Sequence, residues 1–145
     1  MSFRYILFCI IGETKMKSPP SLDLKLVEEF VGIAHGNFLR VKELLEQEPS
    51  LVNATWDWGG GDFETALGAA SHMGNRQIAI YLLENGARLD IFAAAMLGNL
   101  EVVKAALATY PSAVDTLGPH GISLHEHAEA GGLEAREVLE YLNSL

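Results

Sequence analysis

The stretch TALGAASHMGNRQIAIYLLENGARLD, residues 65–90, decides how the chain folds. It predicts two short helices that are hinged at Gly74 and closed by a turn at Gly86, because glycine adopts the left-handed conformation that ends a helix at little cost. The second helix carries its apolar residues on one face, at Ile78, Ala79, Leu82 and Leu83. Such a helix pair cannot bury both of its sides alone, so we expect similar units on either side of it.

Similar units do recur along the chain. Each has a hinge glycine between a first helix of mostly small residues and an amphipathic second helix, and the four glycines are Gly36, Gly74, Gly98 and Gly131. The connection before the second unit is longer than the others, and the connection before the third is shorter. Arg40 in the first unit and Glu140 in the last replace residues that are apolar in the inner units, which is typical of units that cap the ends of an array.

The recurring unit resembles the ankyrin repeat. Residues 65–74, TALGAASHMG, stand where that family has T-P-L-H-x-A-A-x-x-G, and residues 82–87, LLENGA, match its L-L-x-x-G-A. Residues 122–125, ISLH, are a second match to T-P-L-H, which implies that the His125 ring bonds the backbone of the turn. The resemblance implies an all-α solenoid of about four helix-turn-helix repeats with capping end repeats, over residues 22–145. The loop at residues 56–64 also looks like one seen in small bacterial ankyrin proteins.

Composition and charge narrow the class of partner. The chain has 145 residues, 49% of them apolar, which suits one domain with a packed core. Its formal net charge is −9, so a nucleic-acid backbone or an anionic membrane would repel it, and we expect neither as the main partner. The single cysteine, Cys9, excludes an internal disulfide framework and any zinc cluster built from cysteines.

Residues 1–21 are expected to form an apolar extension and a linker. The apolar run from Tyr5 to Ile11 is too short to span a bilayer, which takes about 20 residues, and no small-residue cleavage site follows it. Three interpretations remain open. The run is an upstream extension before a functional chain that starts near Met16, a signal peptide, or a buried strand or helix turn.

The long connection before the second unit is the candidate binding region. It holds two tryptophans and three consecutive glycines, and insertions in repeat proteins often lie on the binding face. We expect it to border a notch left by the short third connection. The candidate partner-binding residues are Trp56, Asp57, Trp58, Asp62, Phe63, Glu64, His72 and Met96. The competing interpretation is that both tryptophans pack over the ends of the first helices.

Catalytic, metal and cofactor sites are not predicted. His125-Glu126-His127-Ala128-Glu129 lacks the second histidine of the H-E-x-x-H motif, and on a helix the two histidines point away from each other. His35 and His72 precede hinge glycines, where we expect surface histidines. No serine or cysteine has a plausible base in a motif, and the glycine run lacks the lysine of a phosphate-binding loop.

The sequence therefore predicts a non-catalytic protein–protein interaction module, which binds another protein through its concave face and the tryptophan loop. The alternative is a protein that binds a small ligand or a cation, and is possibly enzymatic, with a site in the notch beside that loop. Asp57, Asp62, Glu64 and His72 motivate this alternative. A monomer is favoured over a homodimer, and a cytoplasmic location is expected because no convincing signal is present.

Overall fold

The computed structural model describes residues 18–145, and the predictions for residues 1–17 lie outside this range. The described residues form eight α-helices that follow one another in pairs. The pairs are α1 (Leu24–Ile33) with α2 (Phe38–Gln47), α3 (Ala66–His72) with α4 (Arg76–Glu84), α5 (Ile91–Leu97) with α6 (Leu100–Thr109), and α7 (Leu124–Ala130) with α8 (Arg136–Asn143). Short 3-10 helices lie in the connections, at Pro49–Asn53, Pro111–Asp115, Pro119–Gly121 and Gly132–Ala135. The prediction of a mainly helical chain is confirmed.

The two turns predicted around α4 form as the sequence indicates. Gly74 has a φ of 65° and lies between α3 and α4, and Asn75 caps α4 by accepting a hydrogen bond from the N–H of Ile78. After α4, Gly86 has a φ of 98°, and the N–H of Ala87 donates to the carbonyl of Leu82. This is the bonding of a left-handed glycine C-cap, which satisfies carbonyls at the helix end.

The first helices of the pairs pack side by side. Helix α1 contacts α3, α3 contacts α5, and α5 contacts α7, while α2 contacts α4 and α6 contacts α8. One apolar cluster runs from Val27 to Leu97, and a second joins α5 and α6 to α7 and α8. The chain packs closely against α5 at Gly131, just after α7, because a Cβ there would lie 2.1 Å from the carbonyl oxygen of Met96.

The tryptophan-containing connection forms a β-hairpin, which the sequence analysis treated as a loop. Strands β1 (Thr55–Asp57) and β2 (Phe63–Thr65) are antiparallel, and Trp56 is opposite Glu64. The three glycines of its turn, residues 59–61, have φ values of 134°, 65° and 88°, which residues with a side chain adopt only under strain. Asp57 closes the turn by accepting hydrogen bonds from the N–H groups of Gly59 and Gly61. Strand β2 leads directly into α3, whose N-cap is Thr65.

Across residues 18–145, every helix is too short or too polar to cross a lipid bilayer.

Candidate metal centre

Four side chains from different elements meet where the hairpin lies against the helices. Within the part of the chain that the structure describes, one group of metal-binding side chains converges: His35, Glu64, His72 and His120. Each offers one donor atom, and these atoms all lie within 4.8 Å of one another. They come from the turn after α1, from β2, from the last residue of α3 and from the turn before α7.

Glu64 is the buried member of the group. Alternation along β2 points Phe63 outward and Glu64 inward, so the Glu64 carboxylate is only 1% exposed. The indole Nε1 of Trp58 donates a hydrogen bond of 2.7 Å to Oε2 of Glu64. Among the described residues, no group donates a hydrogen bond to Oε1. A buried carboxylate with an oxygen left over calls for a compensating positive charge.

Two histidines face this carboxylate at close range. Nε2 of His72 lies 2.9 Å from Oε1 of Glu64 and 3.2 Å from Nε2 of His35. Nε2 of His35 lies 3.5 Å from Oε2 of Glu64. These contacts place both Nε2 atoms against the buried carboxylate, as ligands of one ion would lie.

The tautomer of His35 is set by the backbone. Its Nδ1 lies 2.9 Å from the carbonyl oxygen of Gly32, and because a carbonyl can only accept, Nδ1 carries the hydrogen. When the ring is neutral, Nε2 carries the lone pair, and this atom faces the group. A backbone carbonyl that orients a histidine in this way is a regular outer contact of metal ligands.

His120 is held in the same manner by Asp62. Its Nδ1 lies 2.7 Å from Oδ2 of Asp62, and its backbone N–H donates a bond of 2.8 Å to Oδ1. Nε2 of His120 is directed to the group, 3.3 Å from Oε2 of Glu64. His120 has a φ of 59°, in the left-handed region that a non-glycine residue seldom adopts. The two bonds to Asp62 stabilise this conformation, and outliers of this kind are frequent at functional sites.

The electrostatics of the centre favour positive charge. Burial acts to raise the pKa of Glu64, but the contacts with His72 and Trp58 and the charge of His35 outweigh it and lower the pKa. Burial acts to lower the pKa of His120, yet the bond to Asp62 and the charge of Glu64 raise it. The bond from the His120 N–H lowers the pKa of Asp62. Both carboxylates are therefore ionised at neutral pH beside three imidazoles.

This donor set can hold a metal ion. Three imidazole nitrogens and one carboxylate oxygen are ligands that zinc and similar transition metals accept. The His35 and His120 side chains are 28% and 32% exposed, so an ion can enter from solvent. The main interpretation of the sequence included no metal ligands, and its alternative, a site for a small ligand or a cation, named Glu64 and His72 but not His35 or His120. The structure instead brings together four donor atoms, which is the geometry that such a site needs.

Four of the eight predicted site residues lie at this centre or contact its members. Glu64 and His72 belong to it, while Asp62 and Trp58 contact its members and Asp57 closes the hairpin turn. Phe63 is 62% exposed on the outer face of the hairpin, and Trp56 is half-buried against the apolar cluster. Met96 was wrongly expected to border the notch. It is fully buried, because it belongs to α5 between α3 and α7.

His35 and His120 were missed by sequence reasoning. A signal for His35 did exist, because His35 follows α1 and His72 ends α3, the first helices of neighbouring units that pack side by side. His120 gave no such signal. It reaches the centre only because the turn before α7 folds against the hairpin, across 58 residues of sequence from Asp62.

Among the described residues, the converging group includes neither His125 nor His127. The expected ring–backbone bond is made by His127 and, in the described residues, not by His125. Nδ1 of His127 lies 2.8 Å from the carbonyl oxygen of Ser123. The reason is that α7 begins at Leu124, with Ser123 as its N-cap, so His127 stands one turn after the cap.

Comparison of the chain with models of protein families and with curated proteins finds no match.

Proposed function

We propose that this chain is a metal-binding protein whose ion is held by His35, Glu64, His72 and His120. The observation that carries the proposal is the convergence of three imidazole Nε2 atoms on one buried carboxylate. Without an ion, bringing three histidines and a carboxylate together would gain little free energy, because ordering four side chains costs conformational entropy. A divalent cation among them supplies the interaction that offsets this cost.

Charge supports the same function. Glu64 and Asp62 place two carboxylates beside the three imidazole rings, and His120 contacts both of them. When Nδ1 of His120 donates to Asp62, the lone pair of its Nε2 faces Oε2 of Glu64. Two acceptors that face each other repel, unless a proton or a cation lies between them. A metal ion bound by both atoms removes this repulsion.

The test is the metal content and metal affinity of the full chain, produced without a histidine tag. We expect about one zinc ion per chain by elemental mass spectrometry, and calorimetric titration of the chelated protein should show one site. Glu64→Gln keeps the size of the side chain and an oxygen that accepts from Trp58, but it removes the charge. We expect this variant to lose the site, because the anionic ligand contributes most of the attraction.

His125→Gln is the matched control, because His125 lies outside the centre on the neighbouring α7. It should bind as the parent does. Equal zinc binding by the parent and Glu64→Gln, or no binding by the parent, contradicts the proposal.

A second candidate function is the binding of another protein through the hairpin, on an ankyrin-like solenoid of four repeats. The order of contacts among the first helices supports such an array. Phe63 and Trp58 supply apolar surface on the hairpin, at 62% and 39% exposure, and the net charge of −9 would suit a basic partner. In this reading the protein is non-catalytic.

Binding of a protein can be tested separately from binding of metal. The full chain, its Phe63→Ala variant and a Leu133→Ala control would be used as baits. Leu133 is 83% exposed at the other end of the chain, so its loss removes a similar area elsewhere. A protein that the parent and control retain and Phe63→Ala does not would support the hairpin surface. Equal retention by all three baits would count against it.

A further inference from the structure

We infer that the ion at this centre is Zn²⁺ or a close tetrahedral analogue, coordinated by four protein ligands and no water, and that it fastens the hairpin to the helices. This inference rests on the proposed function and adds to it the class of ion and its role. A closed set of four ligands is the mark of a structural site, whereas a catalytic site keeps a position open for water or substrate.

The spacing of the donor atoms fits a tetrahedron. With zinc–nitrogen bonds of about 2.0–2.1 Å, neighbouring ligands in a regular tetrahedron lie about 3.3 Å apart. Nε2 of His35 and Nε2 of His72 are 3.2 Å apart, and Nε2 of His120 lies 3.3 Å from Oε2 of Glu64. The distances from the Glu64 oxygens to His72 and His35 are 2.9 Å and 3.5 Å. All four donor atoms lie within 4.8 Å of one another, and any pair beyond about 3.3 Å would have to move closer to bind one ion as a tetrahedron.

Three of the four ligands are already oriented by other groups. The carbonyl of Gly32 holds His35, Asp62 holds His120, and the Trp58 indole holds Glu64. Outer contacts of this kind fix the tautomer and orientation of metal ligands. Burial and the bond to Trp58 hold the Glu64 carboxylate at the centre.

The donor types select among ions. Ca²⁺ takes six to eight oxygen ligands, and Mg²⁺ takes octahedral oxygen and water ligands. Three imidazole nitrogens suit neither ion, while zinc accepts nitrogen and carboxylate ligands in four-coordinate geometry. We therefore expect millimolar Ca²⁺ or Mg²⁺ to leave the zinc in place.

The position of the centre explains what a closed site would do. Its ligands join α1, the hairpin, α3 and the turn before α7, which are far apart in sequence. Two of the ligands, Glu64 and His120, lie on the hairpin and on the turn that contacts it through Asp62. An ion bound to all four fixes both of these irregular segments to the ends of α1 and α3.

Coordination number can be measured with Co²⁺ as the probe. The full chain, freed of metal with a chelator, would be titrated with Co²⁺ and followed by visible absorption. A four-coordinate Co²⁺ ion lacks a centre of symmetry and absorbs strongly, whereas a six-coordinate ion absorbs weakly. We expect one strongly absorbing equivalent, which zinc displaces. X-ray absorption of the zinc form should show four light ligand atoms at about 2.0–2.1 Å.

Proteolysis of the same samples tests whether the bound ion fastens the hairpin to the helices. We expect zinc to protect the hairpin turn at Gly59–Gly61 from cleavage in the parent and in His125→Gln, and not in Glu64→Gln. Binding of one Co²⁺ with weak, six-coordinate absorption, or a water among the zinc ligands, would overturn the closed site and leave metal binding standing. Equal cleavage with and without bound zinc would overturn the fastening role. Absence of any binding would overturn the proposed function itself.

Discussion

Histidines on two of the first helices, α3 and α7, have opposite surroundings. His127 on α7 is fully buried against Phe92, with ring centroids 4.9 Å apart, and its Nδ1 bonds the Ser123 carbonyl. His72 on α3 faces a carboxylate and two further imidazoles. The difference lies in what packs across from each helix, because α5 brings an aromatic ring to α7 while the hairpin brings Glu64 to α3. The first arrangement serves packing, and the second can bind an ion.

The largest expected effect is on the tightly packed side of this comparison. Gly131→Ala would place a Cβ 2.1 Å from the Met96 carbonyl oxygen and 2.5 Å from Cβ of Ala135, so α5 and α7 must move apart. We expect the free energy of unfolding to fall by about 3 kcal/mol in urea denaturation, since both neighbours belong to packed elements.

Gly36→Ala is the control for that substitution. Gly36 is also a hinge glycine, but a Cβ there would meet nothing within 4 Å. We expect Gly36→Ala to change the free energy of unfolding by no more than about 0.5 kcal/mol. A similar loss in both variants would mean that close approach does not define this side of the molecule.

The second effect tests the ion-binding side. Zinc at about 100 times its dissociation constant should raise the free energy of unfolding of the parent by about 2.7 kcal/mol, because it binds only the folded chain. We expect no such gain for Glu64→Gln, and a full gain for His125→Gln. Chemical denaturation with and without a chelator measures the difference. A gain in all three proteins would place the zinc somewhere other than this centre.

A smaller effect is expected from the contact that orients His120. Asp62→Asn removes a charge and one of the two acceptor oxygens that bond His120. Outer contacts of metal ligands contribute about 10- to 100-fold in affinity, and we expect a loss in this range by calorimetric titration. The four-coordinate Co²⁺ spectrum should remain. An unchanged zinc affinity would show that the contact with Asp62 does not orient His120 for metal binding.

The smallest expected effect is the contribution of His127 to the pH dependence of the free energy of unfolding. Burial lowers the pKa of His127, so below the unfolded value of about 6.5 the unfolded chain binds more protons than the folded one. Its contribution to stability is complete above that pH and decreases as the pH falls, by at most about 1.4 kcal/mol per pH unit.

His127→Asn keeps a donor near the Ser123 carbonyl but cannot titrate in this range. With a chelator present, urea denaturation from pH 7.5 to 5 should show a weaker pH dependence for this variant than for the parent. His125→Gln should follow the parent. The same slope in all three proteins would contradict a neutral buried His127.

Much of the helical pattern could be predicted from local sequence. The glycines that end α3 and α4, at Gly74 and Gly86, are visible in the sequence because they act within a few residues of their position. The hairpin was missed, although the strand-favouring residues Phe63 and Thr65 follow the glycine run and Thr55 and Trp56 precede it. Its strands are three residues each and gave too short a pattern.

The candidate site was predictable only in part. Asp62, Glu64 and His72 were grouped from their nearness in sequence, and the hairpin does bring them to one place. The contribution of His120 depends on how the turn before α7 packs, which no local pattern reveals. That of His35 was visible only through its position after α1, beside His72 at the end of α3. The prediction that Met96 borders the notch was wrong for the same reason, because its burial depends on α3 and α7, which pack on either side of α5.

The most direct test of the account is anomalous diffraction at the zinc absorption edge from crystals of the full, untagged chain. We predict one strong peak, bonded to Nε2 of His35, His72 and His120 and to the Glu64 carboxylate, at about 2.0–2.2 Å from each. A crystal soaked with zinc that shows no peak at these residues, or shows zinc only at other histidines such as His125, would contradict it.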